Sequence, residues 1–408
     1  MKKHPVHYGW IIAATGVLVL FSCIGLARFG FSVLIPGLKV GLQLSYQQLG
    51  FIGTANFIGY LVAVFFVPTL IKRFRPRAMI VAGLLLIGCS MALIGRGESF
   101  SVVFLLYTLT GLGTGLANIP MMTLTTAWFG KAQRGKAAGL VICGNGLGII
   151  FVGFTIPLFT EFFGSEGWRI SWLTLGLLSL AVAVCAGLLL RNDPQAMGLQ
   201  PVGHDTVERK ATSAAKAVSD LENRGFLVSL GSLYLIFGVT FMIYGTFIVT
   251  TMVNEYGLDE KTAGMYWSWV GFFSFFSGLV FGSLSDRIGR KYGLTTVFAV
   301  QTVCYLLVGL HLGHGALVVS IILYGLAVFA APAIVTAAIG DHYSASRVAR
   351  AFSNVTFFFA FGQTIGPALA GYIGGEAESF GAAYLVAAGL TALAGFWSLR
   401  LPSPPASQ

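Results

Sequence analysis

The sequence predicts an all-α membrane protein of twelve transmembrane helices in two pseudo-symmetric six-helix halves, and three observations predict it. Of 408 residues, 56% are hydrophobic and only 10% are charged, where soluble domains carry roughly 25% charge. The apolar residues fall in runs near or above the roughly 20 residues that cross a bilayer as a helix. The lysines and arginines between those runs gather almost entirely on one side.

The runs fall at 11–36, 47–70, 78–95, 101–127, 137–160 and 170–190, then at 226–253, 262–284, 293–311, 316–339, 349–373 and 380–399. Barrel strands would be about ten residues of alternating character. These runs are longer and continuously apolar, so helices must satisfy the backbone in lipid. The first run follows Lys2 and Lys3. It exceeds a signal-peptide core, has no persuasive cleavage site before the next run, and is expected to be retained. Between spans six and seven, Arg191 to Arg224 is polar and carries Pro194 and Pro201. It reads as a linker, giving an N-terminal half over 1–190, a cytoplasmic linker over 191–225 and a C-terminal half over 226–408.

Alternating the loops from a cytoplasmic N-terminus puts 20 Lys and Arg inside and only Lys39, Arg96, Arg169 and Lys261 outside, with Arg28 set apart. That bias predicts both termini in the cytoplasm by the positive-inside rule, and a bacterial inner (plasma) membrane is the expected location. The net charge of +10 thus reflects topology and gives no ground for a nucleic-acid partner.

Cys23, Cys89, Cys143, Cys185 and Cys304 all lie in apolar runs without metal-ligand or redox spacing. No metal or cofactor is expected. The histidines and acids scatter through loops on both faces, so no nucleophile, base and metal set converges as enzyme chemistry needs. Gly144-x-Gly146-x-Gly148 lacks the preceding strand and the Lys-Ser/Thr of a phosphate loop. Transport, if that is the function, must be secondary.

Gly282-x-Leu284-x-Asp286-Arg287-x-Gly289-Arg290-Lys291 resembles the cytoplasmic loop signature of the major facilitator superfamily at every defining position. In that reading Gly282 permits close helix approach, Asp286 accepts hydrogen bonds from a neighbouring helix N-terminus, and Gly282, Asp286, Arg287, Gly289 and Arg290 set the balance between conformations. Pro68 to Arg73 occupies the corresponding place 214 positions earlier, with Lys72 where the acid should be. Trp128-Phe129, Arg134-Gly135-Lys136-Ala137-x-Gly139, Gly167-Trp168-Arg169 and Asp193-Pro194-x-x-x-Gly198-Leu199-x-Pro201 together resemble the monocarboxylate and oxalate–formate exchange branch. The resemblance implies a twelve-helix transporter that rocks two halves about a central site.

That branch tends to place a cation in span eight, whereas span eight has none here. The charge role therefore goes to Arg28, inside the first apolar run. An arginine at bilayer depth costs about 2.5–3.5 kcal/mol on insertion scales, faces a protein interior or water-filled cavity, and marks a functional site by default. Bracing against backbone carbonyls is the competing role. No acidic residue falls in any predicted span, which favours an anion as partner, and a lone guanidinium suits a single carboxylate. Polar and aromatic candidates for the rest of the binding site are Asn56 and Tyr60, one helical turn apart in span two, Asn118, Asn145, Tyr244, Trp267, Tyr324 and Asn354. Each serves equally well as interhelical glue. The expected function is movement of a small organic anion, a monocarboxylate above all, by a protein acting as a monomer in the bilayer. The alternative is a proton-driven exporter of amphipathic compounds, suggested by the 34 phenylalanines.

Overall fold

The computed structural model describes residues 7–203, 220–343 and 345–402. Twelve helices run through them: α1 (Tyr8–Leu42), α2 (Tyr46–Arg73), α3 (Pro76–Ile94), α4 (Phe100–Trp128), α5 (Lys131–Phe163), α6 (Gly167–Leu189), α7 (Asp220–Asn254), α8 (Glu260–Ile288), α9 (Arg290–Gly309), α10 (His314–His342), α11 (Ala345–Ala377) and α12 (Gly381–Ser398). No β-strand occurs among the described residues; a single bridge joins Phe129 and Val202. By length and composition ten stretches among the described residues can cross a membrane, and one of them, Gln133–Leu189, takes in α5 from Gln133 onward together with α6. Helix α11 is not among the ten, because Ser353, Asn354, Thr356, Gln363 and Thr364 dilute its apolar character.

The ends follow ordinary chemistry. Pro76 opens α3, where its missing N–H costs nothing. Asp259 caps α8, accepting from the Thr262 amide at 3.0 Å and the Thr262 hydroxyl at 2.8 Å. Helix α5 begins six residues earlier than the apolar run suggests, at Lys131, so the expected basic loop is its first turn. Pro36, Pro68, Pro120, Pro157 and Pro367 all lie inside helices, as membrane helices tolerate when neighbours re-satisfy the freed backbone.

The first part of the expected linker is folded. Pro194 starts a short 3₁₀ turn that Gly198 ends in the left-handed region, with φ of 66°. The chain then returns along Trp128-Phe129: the Val202 amide donates to the Trp128 carbonyl at 2.9 Å and the Gly130 amide to the Val202 carbonyl at 2.8 Å. The Trp128 indole donates to the Arg191 carbonyl at 2.8 Å. Two motifs far apart in sequence are thus one structural joint. Residues 204–219 of the linker lie outside the described residues.

Two compact units are present, Met1–Leu42 with Ile58–Thr212, and Gln43–Phe57 with Ser213–Gln408. Residues 43–57, first-half residues by chain order, pack in the second unit. There the Thr54 hydroxyl donates to the Thr364 carbonyl at 2.8 Å and accepts from the Ala368 amide at 3.1 Å. It thereby occupies the i to i+4 position in the α11 ladder beside Pro367. In the first unit, α1 and α5 touch backbone to backbone: a Cβ on Gly25 would fall on the Cα of Gly148. Only glycine at both positions allows that approach.

Candidate functional site

Within α1, residues Phe21–Phe29 wind as a π-helix. Such widened stretches are rare and recur at functional sites. Its carbonyls find partners on α4: the Thr114 hydroxyl donates to the Cys23 carbonyl at 3.0 Å and the Tyr107 hydroxyl to the Ala27 carbonyl at 2.9 Å. Both side chains are buried. Residues 107, 114 and 118 share one face of α4 at spacings of seven and four, so the same stripe that holds the π stretch carries Asn118.

Arg28 lies in the last turn of the π stretch. Its guanidinium carbon sits 4.7 Å from the centroid of the Tyr60 ring on α2, within the range of a cation–π contact. Tyr60, Tyr107 and Cys23 are the titratable side chains beside it. The Nε and Nη2 atoms are buried. Asn118 lies beside the Tyr60 hydroxyl. Arg28, Tyr60 and Asn118, three of the residues expected from sequence, thus form one cluster in the first unit.

The amide-bearing candidates nearby differ in detail. Asn145 is 5% exposed on α5, its carbonyl lies against Gly25 of the π stretch, and its Oδ1 has no hydrogen-bond partner among the described residues. Asn56 is 1% exposed, one turn before Tyr60, and neither its Oδ1 nor its Nδ2 has a partner among the described residues. A buried amide left so costs roughly 1–3 kcal/mol. Both have hydrogen-bonding capacity to offer.

In the second unit Tyr244 and Tyr324 stack at 4.3 Å. The Tyr244 hydroxyl shares a hydrogen bond of 2.9 Å with Ser320, and Tyr324 donates to the Phe241 carbonyl at 2.9 Å. Tyr305 and Tyr384 each lie 5.7 Å from the Tyr244 ring. Gln301, fully buried one turn before Tyr305, has no partner for either amide atom among the described residues. Sequence reasoning missed Tyr305, Ser320 and Gln301; a buried glutamine in a run as apolar as 293–311 was the available signal. Trp267 is fully buried on α8. Asn354 is exposed and lines a cavity with Leu227, Val228, Phe357 and Phe358, none of them a member of the tyrosine cluster.

The α8–α9 turn departs from its expected geometry. A Cβ on Gly282, or on Gly278, would meet nothing within 4 Å, so neither glycine serves close helix packing here. Asp286 pairs with the Arg290 side chain one turn on, and Arg290 also donates to Asp341 Oδ2 at 2.7 Å and to Ser285 Oγ at 2.9 Å. The acid's partner is therefore a cationic side chain on α9, and the second acid, Asp341 on α10, was not singled out from sequence. Gly289, with φ of 96°, makes the bend between α8 and α9. Arg287 points to the exposed surface.

Twelve helices in two units with a basic, Asp-containing turn between α8 and α9 define a membrane transporter of the major facilitator type. The solved structures agree on the fold. A bacterial homologue of the human lysosomal transporter Spinster superposes with a TM-score of 0.75 over all of both chains at 16% identity. The nucleoside transporter NupG does so with a TM-score of 0.75 over 96% of this chain and 99% of its own at 14% identity. The chain belongs to the family described as the uncharacterised MFS-type transporter YbfB, whose profile matches residues 20–399. Similar proteins include monocarboxylate transporter 2 of Homo sapiens, 25% identical over 97% of this chain and 87% of that one. The hexuronate transporter of Bacillus subtilis is 22% identical over 93% and 91%. The membrane sensor protein UhpC of Salmonella typhimurium is 26% identical over 67% of this chain; the match spans 64% of the sensor's length. The family is one of membrane transporters, not enzymes.

Proposed function

We propose that this protein is a secondary transporter of a small organic anion, a monocarboxylate above all, working by alternating access with Arg28 as the anion-binding charge. One observation carries the reading: a buried guanidinium at mid-span, held on the Tyr60 ring and set at the end of a π-helical stretch. Tyr60, Asn118 and Asn145 are the substrate-binding candidates of the first unit, with Asn56 a turn from Tyr60; Tyr244, Trp267, Tyr324 and Asn354 are those of the second unit, taken by itself. Gly282, Asp286, Arg287, Gly289 and Arg290 bias the conformational balance through the α8–α9 turn. Relatives named for their substrates include carriers of monocarboxylates and hexuronate, both anionic at neutral pH. Binding an anion lowers the cost of enclosing the cation, which favours substrate-loaded turnover. The protein works as a monomer in a bacterial inner membrane with both termini in the cytoplasm.

The test is a thermal-shift screen of the purified chain across monocarboxylates, dicarboxylates and hydrophobic cations. Monocarboxylates should stabilise wild type and fail to stabilise Arg28→Ala, while Arg28→Lys, lacking the planar fork, should respond weakly. Stabilisation by cations alone would favour an exporter of amphipathic compounds. The likeness to a membrane sensor gives a second reading, in which the chain binds its ligand without moving it; counterflow of labelled acid in proteoliposomes separates the two.

A further inference from the structure

The motif and the tyrosine core leave one polar cluster unused, at the end of the second unit where α7, α9 and α11 finish and α12 begins. Glu255, one residue past α7, is mostly buried, its side chain 12% exposed. Its Oε2 accepts from the Ser379 hydroxyl at 2.8 Å and lies 2.7 Å from His311 Nε2. Its Oε1 accepts from the Phe380 amide at 2.8 Å, at the N-terminus of α12. One carboxylate thus ties three separate chain ends.

The backbone supports the arrangement at a cost. His311 has φ of 48° and Glu378 has φ of 52°, left-handed values that are uncommon for residues other than glycine. Strain of this kind collects where function over-determines geometry. His311 also stacks on Tyr256, with ring centroids 5.5 Å apart. The other titratable groups on the surrounding elements are His314, Glu376, Glu378 and Tyr384. Tyr256 meets His314 edge-on at 6.0 Å, Glu376 accepts from Gln47 at 3.4 Å, and Tyr384 bonds Thr251 at 2.8 Å.

We propose that Glu255 and His311 form a proton-binding site through which the pH on that side of the membrane sets how tightly α7, the α9–α10 turn and α12 are held together. Histidine is the side chain that changes charge between about pH 5 and 8. The cation keeps its Nε2 proton toward Glu255 and adds charge to the bond, whereas the neutral ring is free to move its proton to Nδ1. Protonation from outside therefore tightens the tie and deprotonation loosens it. The event reaches the tyrosine core by a short path, because Tyr384 sits one turn after Phe380, whose amide Glu255 holds, and its ring lies 5.7 Å from Tyr244.

The site does not depend on the anion reading, and its test needs no substrate. Hydrogen exchange of the backbone amides of residues 378–384 is followed in the full chain in lipid nanodiscs from pH 5.5 to 8.0, corrected for intrinsic exchange. Wild type should lose protection about twofold to fivefold as pH rises, the range for a partly exposed ion pair. His311→Gln, which keeps a donor and cannot titrate, should flatten that dependence while retaining the fold. Glu255→Gln should lower protection at every pH. A flat wild-type profile, or an unchanged profile in His311→Gln, would overturn the proposal.

Discussion

Removing the hydroxyls that hold the π stretch of α1 should both destabilise the protein and weaken its anion site. Tyr107→Phe deletes one donor 2.9 Å from the Ala27 carbonyl and leaves a buried carbonyl in a widened helix. Hydrogen bonds between membrane helices average about 0.6 kcal/mol and reach about 1.7. A carbonyl outside the ordinary i to i+4 ladder has few substitutes, which places Tyr107→Phe toward the upper end, at about 1–1.5 kcal/mol. Thr114→Val should cost less, about 0.5–1 kcal/mol, because the Thr114 hydroxyl already divides its bonding between the Cys23 and Thr110 carbonyls. If both hydroxyls hold one cooperative stretch, the double variant should depart from additivity by about 0.5 kcal/mol or more. Reversible unfolding in mixed detergent gives the stabilities, and calorimetric titration with the best-stabilising carboxylate gives affinities. Each single variant should bind about threefold to tenfold more weakly, since Arg28 rides on the last turn of that stretch. Wild-type stability and affinity in both would refute the idea that α4 shapes the site through the π carbonyls.

Other expectations concern packing, the basic turn and a helix cap. Gly148→Val forces side-chain carbons onto the α1 backbone at Gly25 and should cost about 2–3 kcal/mol, read as a lower unfolding midpoint, with Gly148→Ala intermediate. Arg290→Lys replaces a fork that reaches Asp286, Ser285 and Asp341 together with a single ammonium; the loss should be about 1 kcal/mol and should shrink in 1 M salt. Hydrogen bonds from the Thr262 side chain and amide hold the Asp259 carboxyl below the usual carboxylate range. Its contribution to stability is therefore present above the ordinary titration near pH 4 and fades as pH falls through the lower folded-state value, so Asp259→Ala should lower the melting temperature most at pH 7 and progressively less as the pH falls through that value. Substituting Gln301 by Leu should be neutral or stabilising if that side chain is purely internal, and a loss of anion affinity without a loss of stability would mark it as part of the transport path.

Much of this architecture was legible in the sequence because bilayer thickness imposes a length and lipid imposes a composition. Span count and the basic turn follow from those constraints, and Arg28 stands out as the cation that no loop can accommodate. Contacts set by register were less legible. The π stretch shifts the phase of α1 by one residue, and nothing in Phe21–Phe29 announces it beyond Ser22, Cys23 and Gly25 in an apolar run. Glycine spacing misled at Gly282 and informed at Gly148, since a small residue permits close approach without requiring it. Thr54 and Glu255 were invisible for another reason: the partners of Thr54 lie 310 and 314 residues away on α11, and those of Glu255 lie 56 to 125 residues away, after α9 and at the start of α12. The starts of α5 and α7 also moved, because helices extend before the apolar run when their first turns reach water.

The central claim is that Arg28 meets a carboxylate during transport. It is tested most directly by uptake of labelled lactate-like acids into proteoliposomes containing wild type or Arg28→Ala at matched protein levels. Loss of a charge-assisted, two-point bond worth about 1.5–3 kcal/mol predicts roughly a tenfold to hundredfold fall in uptake efficiency, with partial recovery in Arg28→Lys. Uptake by Arg28→Ala equal to wild type would contradict the account.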